Sequence, residues 1–201
     1  MMERFPRAAA WRIFASARGM TLVDMVAVLA VFGIMTAIAV PSVATAIEST
    51  RLSQALREVE RELQTAKSRA VGKARPIRIR FNCPSAGWYR ITELIGTAAV
   101  PDPADAAVSR CSETAYPFPP PDTNPLTLPN LDGPVRQLSS GATFAAAQTI
   151  EFWPDGTAHY DTGAAPWQMI PVEGINIRLE RKGVTSTISV NGLGRIQIES
   201  E

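Results

Sequence analysis

Residues 18–41 read RGMTLVDMVAVLAVFGIMTAIAVP, and this stretch decides how the chain is organised. Between Met20 and Val40 the only ionisable side chain is that of Asp24. A helix of this length spans roughly 31 Å at about 1.5 Å per residue, close to one hydrocarbon core. Arginines outnumber acids in the preceding residues, so the positive-inside rule leaves the N-terminus in the cytoplasm. The sequence therefore predicts a single-pass transmembrane helix over 20–40, with everything after Val40 exported.

Two simpler explanations of the apolar segment stay open at this point. It could be a plain signal anchor, or a secretory signal peptide cut near Ala46. The segment is long for the apolar region of a signal peptide, and an amphipathic helical pattern follows almost directly.

Asp24 does not suit either explanation. An ionised carboxylate inside lipid costs at least about 2–3 kcal/mol, so an acid in a membrane segment is a candidate functional site that needs a cationic partner. If the mature chain began at Met20, its α-amino group would be the nearest cation. Cleavage after Gly19 would create that terminus.

These residues resemble the type III signal of type IV pilins and pseudopilins. The resemblance rests on Gly19, the acid five residues later, the uninterrupted apolar run and Pro41. It implies that residues 1–19 are a leader removed by a prepilin peptidase, and that Met20 is then N-methylated. It also implies that Asp24, where the family usually has glutamate, pairs with the amino terminus of a neighbouring subunit during assembly.

The segment 41–72 continues as a predicted amphipathic helix. Apolar residues recur at alternating intervals of four and three, and Gly72 and Pro76 end the pattern. The members of this stripe are Leu52, Leu56, Val59, Leu63, Ala66 and Ala70. We expect the stripe to pack on a sheet of the same chain.

The remainder, residues 73–201, is predicted to be a β-rich domain. Pro154-Asp155-Gly156 and Lys182-Gly183 are typical of hairpin turns. One long helix followed by antiparallel strands gives an α+β fold. The predicted strands are Ile77–Phe81, Trp88–Leu94, Thr149–Trp153, Thr157–Asp161, Ile175–Arg181, Val184–Val190 and Arg195–Ile198.

A proline-rich insertion interrupts the strands between residues 97 and 134. It holds nine of the 16 prolines, which excludes a regular sheet interior. Cys83 and Cys111 both lie beyond the membrane segment, where an oxidising compartment permits a disulfide; two unpaired thiols are the alternative. These two cysteines and His159 show no metal-ligand spacing, and we expect no metal or cofactor.

The C-terminal half resembles the GspH/FimT family of minor pseudopilins and minor pilins. The resemblance rests on Phe152, the turn 154–156 and Gly194-Arg195. It implies a structural subunit at or near the tip of a type II secretion pseudopilus, with its domain in the periplasm. Its partners would be the inner membrane, the prepilin peptidase, other pseudopilins or pilins and the assembly platform. The alternative is a FimT-like minor pilin of a type IV pilus.

DNA binding is the competing function, because FimT-like members resemble one another in a Gly-Arg-x-Arg motif and are implicated in DNA uptake. Here Gln197 replaces the second arginine. Without residues 1–19 the chain holds 16 basic and 18 acidic residues, which does not favour phosphate binding. The candidate DNA contacts are Arg195, Arg178, Arg181 and Lys182.

The sequence shows no nucleophile elbow or phosphate loop, so it does not favour an enzyme. His159 lies near Asp155 and Asp161 but sits on a short strand, where we expect it to face solvent.

Overall fold

The computed structural model describes residues 21–97, 100, 102–121, 132–162 and 167–199, without the side chains of residues 41 and 42. The predicted leader, its cleavage site and Met20 lie outside the described residues. The chain divides into two compact units, one ending at Val43 and one beginning at Ala44. Helix α1 extends from Leu22 to Lys73.

The part of α1 in the first unit is apolar and exposed. Within the described residues α1 is the one helix long and apolar enough to cross a membrane, with a mean hydropathy of 2.4 over its most apolar window. Leu22, Leu29, Phe32 and Ile38 each expose two thirds or more of their surface. Such side chains need lipid or protein around them in the native setting.

In the second unit, the predicted stripe of α1 is buried in full. Leu52, Val59 and Leu63 are almost inaccessible, and the remaining stripe residues share one core cluster with the strands. Amphipathic spacing therefore identified the face of α1 that packs on the sheets.

Two antiparallel sheets complete this unit. The first sheet has six strands in the order β3-β2-β1-β5-β6-β7, and the second has four in the order β10-β9-β8-β4. The strands are β1 Ile77–Phe81, β2 Trp88–Glu93, β3 Val135–Gln137, β4 Thr143–Phe144, β5 Thr149–Phe152, β6 Ala158–Tyr160, β7 Gln168–Met169, β8 Ile175–Arg181, β9 Val184–Val190 and β10 Ile196–Glu199.

The α+β prediction, one long helix packed on antiparallel sheets, is confirmed. All seven predicted strands form, with ends shifted by one residue at most. Lys182 and Gly183 both have positive φ, as the two central residues of a tight hairpin turn require. Three strands were missed: β3, β4 and β7 have only two or three residues, too few for an alternating pattern to appear.

The described part of the proline-rich insertion folds into two short 3-10 helices, Pro103–Ala106 and Val108–Cys111. It lies on the outer face of the first sheet, where β1 and β2 present arginines. Arg78 and Arg80 donate to the carbonyl of Asp105, and Arg90 donates to the carbonyls of Arg110 and Tyr116. The guanidinium groups of these three arginines thus satisfy backbone carbonyls of the insertion, whose prolines prevent it from forming a regular sheet.

A buried ion network fixes the same layer. Arg110 is 1% exposed and pairs with Asp105 and Asp132, while Arg78 pairs with Glu151 at 2.9 Å. Cys83 and Cys111 form a disulfide that joins the start of the β1–β2 turn to the insertion. The charges are buried but satisfied, as burial requires.

Candidate assembly site and basic residues

The first turn of α1 is closed by Thr21 and Asp24. The Asp24 amide donates to the Thr21 hydroxyl at 3.3 Å, and the Thr21 amide donates to Oδ2 of Asp24 at 3.0 Å. The Thr21 hydroxyl also donates to that oxygen, at 2.9 Å. This reciprocal pair is a capping box, in which two backbone N–H groups that the helix leaves unsatisfied find partners.

The capping box uses one oxygen of the Asp24 carboxylate. All three bonds involve Thr21, and Oδ1 has no partner in the part of the chain that the structure describes. The side chain is exposed on the apolar first part of α1. A carboxylate that retains a free oxygen at the start of an apolar helix can accept a bond from a cation supplied by another molecule.

The four candidate DNA contacts do not form one patch. Arg181 and Lys182, at the β8–β9 turn, both donate to the carboxylate of Glu48 on α1, Lys182 at 3.0 Å. The hydrogen bonds from Arg181 and Lys182 lower the pKa of Glu48 to about 2. Nothing in the local sequence around Glu48 marks it as the partner of residues more than 130 positions later.

Arg195 lies at the opposite end of the second sheet. It follows the turn at 191–194, which is held by Lys67 of α1: the Lys67 ammonium donates to the carbonyls of Leu193 and Gly194. Glu48 and Lys67 are separated by roughly 28 Å along α1 at about 1.5 Å per residue. Arg195 and the β8–β9 turn therefore cannot contact the same few phosphates.

Arg178 and Gln197 lie on the outer face of the second sheet. Arg178 is opposite Thr187, which is also opposite Glu199, and Gln197 is opposite Ser189. Arg178 shares this face with the acids Glu180 and Glu199, and all three side chains are exposed. The outer face is polar, and its described charges are not predominantly positive.

The two turns that carry the GspH/FimT resemblance are in contact. Gly194 has a φ of +68°, and a Cβ added there would lie 2.5 Å from the carbonyl oxygen of Gly156, which has a φ of +84°. Both positions therefore require glycine. The glycines of these motifs have a structural role, since they let the two turns approach each other beside Lys67.

The expectation that His159 faces solvent is wrong. His159 is 7% exposed, because the indole of Trp153 stacks on its ring at 3.9 Å between centroids. Its Nε2 lies 2.9 Å from the Thr157 hydroxyl, which donates to Asp155 at 2.6 Å, and its Nδ1 lies 3.3 Å from the carbonyl oxygen of Trp167. The bonds from Thr157 lower the pKa of Asp155. His159 is thus a covered, hydrogen-bonded residue of the first sheet.

Among the described residues, no group of three or more His, Cys, Asp or Glu side chains could hold a metal ion.

No protein-family model matches the chain, and no curated protein sequence is significantly similar to it. Two crystal structures of the type IV minor pilin FimU of Pseudomonas aeruginosa (strain PAO1) are similar in structure. The P21 form is 18% identical, covers 76% of this chain and 91% of the FimU chain, and has a TM-score of 0.43. The P65 form is 19% identical, covers 74% and 93%, and has a TM-score of 0.40. Since both TM-scores lie below 0.5, the likeness carries no weight for function.

Proposed function

We propose that this chain is a structural subunit of a pilin-type filament, held in the bacterial inner membrane by α1 until it is assembled. The prepilin peptidase cuts after Gly19, the amino group of Met20 is methylated, and the β-rich domain lies in the periplasm. Within this class, the resemblance of the C-terminal turns favours a minor pseudopilin of a type II secretion system. A minor pilin of a type IV pilus is the alternative.

The observation that carries the proposal is the Asp24 carboxylate on the first turn of an apolar, exposed helix. Thr21 satisfies one carboxylate oxygen, which reduces the cost of storing the charge near the membrane surface. In a filament, the other oxygen accepts from the amino group of Met20 in an adjacent subunit. Pairing is required there, because an unpaired charge in an apolar filament core costs several kcal/mol.

The exposed apolar surface of α1 supports the same proposal. Leu22, Leu29, Phe32 and Ile38 have no cover from their own unit. Lipid covers them while the subunit is stored, and the helices of neighbouring subunits replace the lipid on assembly. A plain signal anchor would explain the apolar surface but gives no role to Asp24.

DNA binding is less well supported than the structural role. Glu48 offsets one of the two positive charges of the β8–β9 turn, Arg195 lies at the other end of the sheet, and Gln197 replaces the second arginine of the motif. The four candidate contacts are thus not gathered on one surface, and affinity for phosphates scales with the number of cationic contacts.

The proposal is tested by incorporation of Asp24 variants into filaments in cells that produce the assembly machinery. Asp24→Ala should leave membrane insertion and cleavage intact and reduce co-purification with the major subunit at least about tenfold, since losing one charge pair costs several kcal/mol. Asp24→Glu should retain incorporation, because it keeps the carboxylate.

Thr36→Val is the matched control, since Thr36 is a polar residue of the same segment that bonds only its own helix, at the carbonyl of Phe32. Normal incorporation of Asp24→Ala would show that the pairing is wrong.

A further inference from the structure

A cavity of about 320 Å³ lies on the outer face of the first sheet. It is bounded by β1 and β5 below, by the first 3-10 helix of the insertion on one side, and by Trp153 and Trp167 on the other. Nothing in the proposed assembly role uses it. Its volume is at the lower end of the roughly 300–1,000 Å³ range of ligand sites, which suits one or two small rings.

Two cross-strand pairs make the floor of the cavity rigid. Arg78 on β1 is opposite Glu151 on β5, and Arg80 is opposite Thr149. Arg78 donates to Glu151 at 2.9 Å and is 6% exposed, while Arg80 donates to the carbonyls of Asp105 and Ala107. The floor is thus held in place before any ligand arrives, which lowers the entropic cost of binding.

The two tryptophans of the wall are fixed as well. The Trp153 indole donates to Glu151 at 2.8 Å, and Trp167 packs against the guanidinium of Arg78 at 3.9 Å from its ring centroid. Both are half-buried and line the cavity. One face of each ring is already covered, because Trp153 stacks on His159 and Trp167 lies against the Arg78 guanidinium. A ligand can therefore stack only on the second face of each indole, where a fixed ring keeps the entropic cost of binding low.

The charges around the cavity disfavour an ion as its occupant. Two arginines and four acids line it, of which Arg78 pairs with Glu151 and Asp105 pairs with Arg110 outside the lining. Arg80, Asp102 and Asp161 complete a lining of mixed sign, so a simple ion of either sign would meet a like charge as well as an opposite one. The Thr149 hydroxyl also lines the cavity and makes no hydrogen bond within the described residues. A neutral ligand with many hydroxyl groups can accept from the guanidinium groups and donate to the carboxylates at the same time.

We propose that this cavity binds carbohydrate, taking one or two pyranose units of a polysaccharide. The C–H face of a pyranose ring is apolar and stacks on indole, and its rim of hydroxyls bonds to Arg80, Thr149 and Asp102. The sugar can come from the cell wall or from a secreted or surface glycan. The two sources share the pyranose chemistry and differ in the N-acetyl group of wall sugars.

The experiment uses the full chain in a zwitterionic detergent without a sugar head group, which would otherwise compete. Soluble trimers of glucose and of N-acetylglucosamine are titrated up to about 10 mM, the weak end of small-ligand affinity. Binding is read from saturation-transfer NMR and from the intrinsic tryptophan fluorescence. We expect saturable binding of at least one trimer, and the N-acetylated trimer alone would indicate the cell wall as the source.

Variants identify the cavity as the site of binding. Thr149→Val removes one hydroxyl, and Asp102→Asn keeps an oxygen for the Ala104 amide but replaces the second carboxylate acceptor with an N–H donor. Each should weaken the affinity about fivefold. Thr185→Val is the matched control, because Thr185 is exposed on β9 in the second sheet, and it should leave the affinity unchanged. Circular dichroism checks that each variant is folded.

The proposal is overturned if neither trimer binds, or if Thr149→Val and Asp102→Asn leave the affinity for the trimers unchanged. It is also overturned if charged peptides bind to the cavity and the trimers do not.

Discussion

The carboxylate of Glu48 is hydrogen-bonded to the guanidinium of Arg181 across the space between α1 and the β8–β9 turn. Lys182 donates to the same carboxylate, at 3.0 Å. The two cations of the β8–β9 turn are therefore bonded to an acid of their own chain. This contact ties the turn to α1 and offsets one of its two positive charges, which makes Arg181 and Lys182 less available to phosphate.

The Glu48 contact predicts a specific pH dependence of stability. The pKa of Glu48 falls from 4.5 to about 2 in the folded chain, so folding favours the ionised form. Its contribution is full above about pH 4.5 and is lost as the pH falls toward 2. Near neutral pH the melting temperature of the wild type should be higher than that of Glu48→Gln. The difference between the two melting temperatures should vanish toward pH 2. Glu180→Gln, which changes an exposed acid on β8, is the matched control.

DNA binding should be weak, independent of sequence and steeply dependent on salt, because only a few phosphate contacts are available. Gln197→Arg should strengthen it, and Arg195→Ala should abolish it. Fluorescence anisotropy titrations at low and physiological salt measure the DNA affinity of the wild type and of both variants. Tight wild-type binding at physiological salt, lost in Arg195→Ala, would make DNA uptake the leading function.

Glu48→Gln should raise the weak DNA affinity and steepen its salt dependence, because it frees Arg181 and Lys182. The same anisotropy titration applies. An unchanged salt slope would mean that these two cations do not reach phosphates even when they are free.

The buried network beneath the insertion should dominate the stability of this layer. Arg110→Met leaves Asp105 and Asp132 buried without their cation and should lower the free energy of unfolding by about 3–5 kcal/mol. Arg136→Met is the matched control, because Arg136 pairs with Glu62 at the surface, where a salt bridge contributes about 0–1 kcal/mol. Denaturant unfolding measures the free energy of unfolding of both variants. Equal losses of stability in Arg110→Met and Arg136→Met would contradict the account.

Cys83 and Cys111 should be oxidised in exported protein. Their bond closes a loop with a sequence separation of 28, which stabilises by about 3 kcal/mol in the chain-entropy model. Thiol labelling of denatured, unreduced protein should find no free cysteine. Two labelled thiols in periplasmic material would refute the prediction.

Local sequence patterns were sufficient to predict the long helix and the longer strands that follow it. The buried stripe of α1 and the alternation in β1 and β9 are each visible within one segment, because burial imposes a period on neighbouring residues. The Lys182-Gly183 turn could be predicted for the same reason, since its geometry depends on the turn residues themselves.

Contacts between distant segments could not be predicted. The isoleucine–arginine alternation at residues 77–80 places Arg78 and Arg80 on the outer face of a strand, where exposure to solvent is the default. The insertion covers Arg78 and Arg80 in the fold, and no local sequence pattern predicts this contact. Glu48 and His159 are similar cases. The partners of Glu48 lie more than 130 residues away, and Trp153, directly after β5, covers His159.

The mass of the mature protein tests the central claim most directly. Intact-mass and N-terminal peptide mass spectrometry of protein purified from membranes should find a chain that begins at Met20, carries one added methyl group on its amino terminus and lacks residues 1–19. A chain that retains residues 1–19, or one that begins near Ala46, would contradict the account.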